Sequence, residues 1–119
     1  EACGLEVPHA MQGLSLVSIL RGQADPSYHK PVVRSEYRDA MGGHADHSQA
    51  SMVFDGRYKS VFYHGHDLVE LFDHHNDPHE FDNLWLQQGH ESLKLAQTRL
   101  HMQAMMATID LGPPRFVNY

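Results

Sequence analysis

Hydrophobic and polar positions change rhythm along this chain, and each change marks an element. Over 50–55, Ala50, Met52 and Phe54 alternate with Ser51, Val53 and Asp55, the period-two pattern of a strand with two unlike faces. Asp55-Gly56 then predicts a two-residue hairpin turn, because glycine takes positive φ without a Cβ clash. The return strand spans 58–64, with Tyr58, Ser60 and Phe62 on one face and Lys59, Val61 and Tyr63 on the other. A further short strand follows over 69–73, and β-branched Val32-Val33 open an earlier one over 32–37. Past Asp77-Pro78 the period lengthens. Residues 91–109 are rich in helix formers, and Leu93, Ala96, Leu100, Ala104 and Ala107 recur at three- and four-residue steps as one apolar stripe. Met102, Met105, Met106 and Ile109 widen the stripe, and Gly112-Pro113-Pro114 stops it. The expected fold class is α+β: a four-stranded antiparallel sheet packed against one long C-terminal helix.

The remaining segments punctuate these elements. Ser15 caps a short apolar helix over 16–20, closed by Arg21-Gly22. The polar stretch 23–31 holds Pro26 and Pro31 and reads as a linker. The Gly- and His-rich stretch 39–48 reads as a loop, and Asn83 as a cap for the segment after it. At the start, Ala2-Cys3-Gly4 reads as the last turn of a helix with Gly4 at its C-terminal cap. A helix ending there has its beginning upstream, so the expectation is a piece of a longer protein, without a native amino terminus. Residues 1–30 are then expected to be the end of a preceding domain and a linker, and 31–119 the second domain.

Composition narrows the function classes. The chain has 119 residues, 41% hydrophobic and 20% charged, as for one small globular domain. Nine basic against fifteen acidic side chains give a formal charge of −6, with no basic run to track a phosphate backbone. Nucleic-acid binding is therefore disfavoured. No apolar run approaches the ~20 residues needed to span a bilayer, so no membrane partner is expected. The lone Cys3 allows no internal disulfide.

Eleven histidines invite a metal reading. His44-x-Asp46-His47, His64-x-His66 and His74-His75 with His79 are pairs, whereas a metal site needs three or four converging groups. None has the i, i+4 spacing of a helical zinc motif, so no metal ligand is assigned. No serine sits in a Gly-x-Ser-x-Gly elbow and Cys3 has no evident histidine partner, so no catalytic residue is assigned. Asp73, Asp77, Glu80 and Asp82 lie in a turn rich in Asn, Asp and Pro, where carboxylates accept backbone hydrogen bonds. Arg57 and Lys59 are expected on one strand face, facing solvent or a neighbouring domain.

Taken together, Asp55-Gly56-Arg57-Tyr58-Lys59, then Glu70-Leu71-Phe72-Asp73, then Asn76-Asp77-Pro78-His79-Glu80 with Asn83-Leu84, keep a recognisable order and spacing. Gln12-Gly13-Leu14-Ser15-Leu16 and Arg34-Ser35-Glu36-Tyr37 extend the pattern over nearly the whole chain. It resembles the C-terminal subdomain of type I sulfatases, the arylsulfatase family. The resemblance implies a sulfuric ester hydrolase whose whole form uses formylglycine, made from Cys or Ser in Cys/Ser-x-Pro-x-Arg, and a divalent cation such as calcium. Cys3-Gly4-Leu5-Glu6-Val7 does not match that motif, and Asp46-His47-Ser48 departs from the family's Asp-His-Gly metal segment. Neither role carries over, so this chain is expected to be inactive alone, with the catalytic domain as its partner and a sulfate ester as the whole protein's substrate. The resemblance also implies a sheet that buttresses the catalytic domain and loops that line the substrate pocket. His44, His47, His64 and His66 are the rim candidates, since imidazolium and backbone N–H groups complement sulfate. Separated from its partner, the sheet would expose an apolar patch and self-associate. The alternative from another class is an independent His-rich module that binds metal or protein. Compartment is left open by the sequence.

Overall fold

A computed structural model of the chain describes residues 1–8, 11, 13–39 and 48–109. These divide into two compact units: Pro31–Met106, and Glu1–Lys30 together with the stretch from Ala107.

In the unit of Glu1–Lys30, a turn is closed by the Gly4 amide on the Glu1 carbonyl at 3.0 Å, and Gly4 has φ +73°. Helix α1 (Val17–Leu20) is one turn long. The Ser15 hydroxyl accepts from the Val17 amide at 3.2 Å, but the N-cap position is taken by Leu16, one residue later than expected. Leu5, Val7, Met11, Leu14, Leu16 and Leu20 are all exposed.

Pro31–Met106 contains the expected α+β architecture. Strands β1 (Val33–Arg38), β2 (Gln49–Phe54), β3 (Tyr58–His64) and β4 (Leu68–Asp73) form one antiparallel sheet in chain order. A 3-10 turn (Leu84–Leu86) and helix α2 (Glu91–Met106) come next. β3 spans the expected residues, β1 and β2 are displaced by one residue at the expected length, and β4 starts one residue early, whereas the helix stops at Met106, three residues early.

The first hairpin turns one residue later than Asp55-Gly56. The Asp55 amide donates to the Tyr58 carbonyl at 3.2 Å, which leaves Gly56 and Arg57 as the two loop residues. Gly56, at φ +95°, takes the first central position, where a type II′ turn calls for glycine. Asp55 instead braces the turn, its Oδ1 accepting from the Arg57 and Tyr58 amides at 2.9 and 2.7 Å.

Register separates the two faces. Ser51, Val53, Ser60, Phe62, Val69 and Leu71 share one face, and Ala50, Met52, Phe54, Val61, Tyr63 and Phe72 the other. Helix α2 and the 3-10 turn lie on the first, where Phe62 meets Trp85 edge-on at 5.6 Å. Val53 and Leu71 are fully buried there, each contributing roughly 1.5–3 kcal/mol. Ser51 and Ser60 are equally buried, so the centre of this core is polar.

That polarity reorders the helix. The sequence stripe runs Leu93, Ala96, Leu100, Ala104 and Ala107, of which Leu93, Leu100 and Ala104 are half-buried, but the residues of α2 that are buried are Gln97 and His101. Ala96, Met102 and Met106 are exposed. The row facing the sheet runs 93, 97, 101, because buried serine hydroxyls and the Asp55 carboxylate need polar partners. Gln97 Nε2 donates to Asp55 Oδ2 at 2.7 Å.

After β4 the chain is pinned by side chains. Asp73 accepts from both Arg57 Nε and Nη2, at 3.1 and 2.7 Å, and this fork holds its carboxyl down at about 2. Lys59 Nζ donates to both oxygens of Glu80 at 2.8 and 2.7 Å. Arg57 and Lys59 are thus tied within the unit to separate carboxylates, Lys59 half-buried and Arg57 still exposed to solvent. Asp77 plays the expected turn role, its Oδ2 accepting from the Asp82 amide at 2.9 Å. Asn83 caps the 3-10 turn through the Trp85 amide at 3.0 Å, and it also pairs with β4. Its Oδ1 accepts from the Leu71 amide at 3.0 Å, and its Nδ2 donates to the Val69 carbonyl at 3.2 Å. One amide side chain thereby closes the outer edge of β4 as a neighbouring strand would.

Candidate functional site

Of the four rim histidines, His44 and His47 lie outside the described residues. Their loop is closed at its base by the Asp39 amide on the Ser48 carbonyl at 2.9 Å. His64 ends β3, and His66 comes after the turn at Gly65, whose φ is +83°. Both are exposed. His66 is placed by its own amide on the Tyr63 carbonyl at 3.1 Å. Of these two described histidines, His64 is the one drawn into a side-chain network.

That network runs inward from the rim. His64 Nε2 lies 2.7 Å from Ser51 Oγ, and His101 Nε2 lies 2.7 Å from the same oxygen. His101 Nδ1 reaches Ser60 Oγ at 3.0 Å. Two strands and the helix thus contribute to one row: β3 gives His64 and Ser60, β2 gives Ser51, and α2 gives His101. Phe62 packs on the His101 ring at 4.5 Å, edge to face. Burial, reinforced by the nearby His64, pushes the His101 pKa down to about 4, so the ring is neutral at neutral pH. Beside the row, Phe62, Thr98, Met102 and Met105 line a cleft of about 270 Å³.

Ser51, Ser60 and His101 carry no mark as site residues in the sequence. The available signal is indirect: two serines fall on the inward beat of strand alternation, and His101 stands one helical turn after Gln97. Polar residues at four inward positions imply a shared network, but which strand meets which helix turn is settled only by the tertiary register.

The second histidine cluster is a brace. His74 Nε2 donates to Glu80 Oε1 at 2.6 Å, so Glu80 is held by both Lys59 and His74, and these lower its pKa. Glu80 has φ +59°, a left-handed conformation unusual for a non-glycine residue, and its three hydrogen bonds hold it there. His75 and His79 do not join this cluster; His79 rests against Phe81 at 5.8 Å. Among the described residues, no three His, Cys, Asp or Glu side chains converge to hold a metal ion.

The model of the family described as N-sulphoglucosamine sulphohydrolase, C-terminal, matches residues 1–109, and the chain belongs to that family. No curated protein matches it. Among solved structures, a 2-O GAG sulfatase is similar at 27% identity with a TM-score of 0.72, over 88% of this chain. A protein solved in complex with its substrate D-glucosamine-2-N,6-O-disulfate shares the fold at 22% identity and TM-score 0.73, over 92% of this chain. The phosphonate monoester hydrolase of Silicibacter pomeroyi does so at 22% and 0.73, over 89%. This chain spans 22–23% of the length of each of those structures.

Formylglycine and a divalent cation, which the family implies for the whole protein, do not fit the described residues. Cys3 is exposed at a turn and is succeeded by Gly4-Leu5-Glu6-Val7, without the proline and arginine of the nucleophile motif. Asp73, Asp77 and Glu80 are each committed to protein donors.

Proposed function

We propose that this chain is the buttress of a sulfuric ester hydrolase: its open sheet face docks the catalytic α/β domain, and its histidine loops edge the substrate pocket. Residues 1–30 would close the catalytic domain, and 31–119 would form the C-terminal subdomain. The observation that carries this reading is the family match over 1–109 in a chain about a fifth the length of its solved neighbours. Two surface features support it. The face opposite α2 presents Tyr37 exposed beside Ala50, Met52 and Tyr63 around a shallow cleft of about 250 Å³, and Val33 is exposed on the same face. The exposed leucines of the first thirty residues are likewise side chains that a catalytic domain would cover.

Sulfated amino sugars are the substrate class to test first, given the family's description and the disulfated glucosamine bound by one neighbour. The rim histidines His44, His47, His64 and His66 would bind its anionic groups. The test compares this chain alone, the remaining polypeptide alone and the two together on an N-sulfated glucosamine and on an aryl phosphonate. The reading predicts no turnover by this chain alone and restored sulfate release by the pair. Sulfate release by this chain alone, or preference of the pair for the phosphonate, would overturn it. Self-association through the same face belongs to this proposal, and sedimentation of the isolated chain at rising concentration would show it.

A further inference from the structure

We propose that Ser60 and His101 are positioning residues that act through Ser51 to hold the rim imidazole of His64 as its Nδ1–H tautomer, presenting a neutral N–H donor outward. The inference rests on the proposed rim role only for what that donor meets.

Counting protons along the row fixes its direction. Four neutral groups stand in a row joined by three links: Ser60 to His101, His101 to Ser51, and Ser51 to His64. Each link uses one proton, so the row has two head-to-tail directions; a third arrangement, with Ser51 accepting from both imidazoles, strands the proton of the buried Ser51 hydroxyl and is disfavoured on that ground. In the inward direction His64 Nε2–H donates to Ser51, Ser51 to His101 Nε2, and His101 Nδ1–H to Ser60. The Ser60 hydroxyl proton is then left over. Ser60 is fully buried, and among the described residues its hydroxyl has no partner besides His101. In the outward direction Ser60 donates to His101 Nδ1, His101 Nε2–H to Ser51, and Ser51 to His64 Nε2. Every buried proton is then used. A stranded buried donor disfavours the inward direction by roughly tenfold to a hundredfold. The depressed His101 pKa keeps that ring neutral, as the row requires.

The consequence at the rim is chemical. A neutral imidazole in water exchanges its proton between nitrogens, and its outward nitrogen is a donor only part of the time. With Nε2 committed to accepting from Ser51, His64 keeps its one proton on Nδ1. No described residue pairs with that nitrogen, and the side chain is exposed. It suits an acceptor such as a sulfate oxygen without requiring an imidazolium.

Long-range proton–nitrogen correlation on the nitrogen-15-labelled chain at pH 8 reads each tautomer directly. The expected spectrum has His64 as Nδ1–H and His101 as Nε2–H; His64 as Nε2–H overturns the proposal. Ser51→Ala disconnects His64 from the row and should give the averaged pattern of a solvated imidazole. If that variant folds, judged by its sheet amide spectrum, and leaves the His64 tautomer unmoved, the relay is wrong. If it does not fold, the wild-type tautomers still decide. In the whole protein, His64→Ala should raise KM for a sulfated sugar several-fold with kcat nearly unchanged. An unchanged KM alongside the Nδ1–H tautomer would remove the rim reading and leave the relay standing.

Discussion

His101 shows how a single buried residue ties stability to pH. Its folded pKa lies near 4 because the ring is buried and faces His64, while an unfolded histidine titrates near 6.5. The unfolded chain therefore takes up a proton first as the pH falls. The stability that comes from neutral burial is present above about pH 6.5, declines as the pH drops, and is gone below the folded value near 4. The loss should amount to about 2–3 kcal/mol. Asp73 acts in a separate window: its lowered pKa gives stability that is kept down to the ordinary carboxylate range and lost on approach to pH 2. Urea melts from pH 8 to 4.5 should thus show falling stability in the wild type. His101→Gln, which retains polar atoms for the serines, should be less stable at pH 8 but have a flatter slope. An identical slope in both proteins would assign the pH dependence elsewhere.

Elements differ in how much of them local sequence determines. The strands are legible from alternation because each pairs with its chain neighbour, so the hairpins need only local information. Turn details escape at the level of one residue: Asp55-Gly56 marks the hairpin, yet the loop is Gly56-Arg57, because the Asp55 carboxylate is spent on bracing the Arg57 and Tyr58 amides. Gly56→Ala would force a Cβ into φ +95°, and a loss of about 1–2 kcal/mol is expected, visible as a lower melting temperature. For α2, sequence reveals a helix but not its rotation, since apolar periodicity assumes an apolar partner and this sheet face offers Ser51, Ser60 and Asp55. The candidate site divides in the same way: His64 and His66 are visible as a pair beside a turn, while the residues that orient His64 are distant along the chain. Asn83 is legible as a cap, but its second role on the β4 edge is not. Asn83→Ala removes three hydrogen bonds and leaves the Leu71 amide and Val69 carbonyl open, so it should cost about 1–3 kcal/mol. Hydrogen exchange should localise the loss to β4; protection of the Leu71 amide equal to wild type would refute that account.

At the scale of the whole molecule, the two faces of the sheet are unequal. One is consumed by α2 and the 3-10 turn. The other is braced at the β3–β4 end by Lys59, His74 and Glu80, with Phe54 against His74 at 5.2 Å, and stays open toward β1. Every residue of β1 is exposed, so this strand adds little to the core. An edge strand with Val33 and Tyr37 bare is costly in solution unless something covers it. Folding stability and docking should therefore be separable by mutation. Tyr37→Glu places a charge where the strand is already solvated, so the melting temperature of this chain should change by no more than about a degree or two. The same charge buried against a catalytic domain would lack a partner, and association should weaken by roughly tenfold or more. Leu71→Ala on the covered face should do the reverse, costing about 2–5 kcal/mol of stability while leaving the affinity of the folded fraction intact. Calorimetric binding to the separately produced remainder of the protein, paired with thermal melts of both variants, makes the comparison. Equal affinity of Tyr37→Glu and wild type would show that the catalytic domain does not dock across β1.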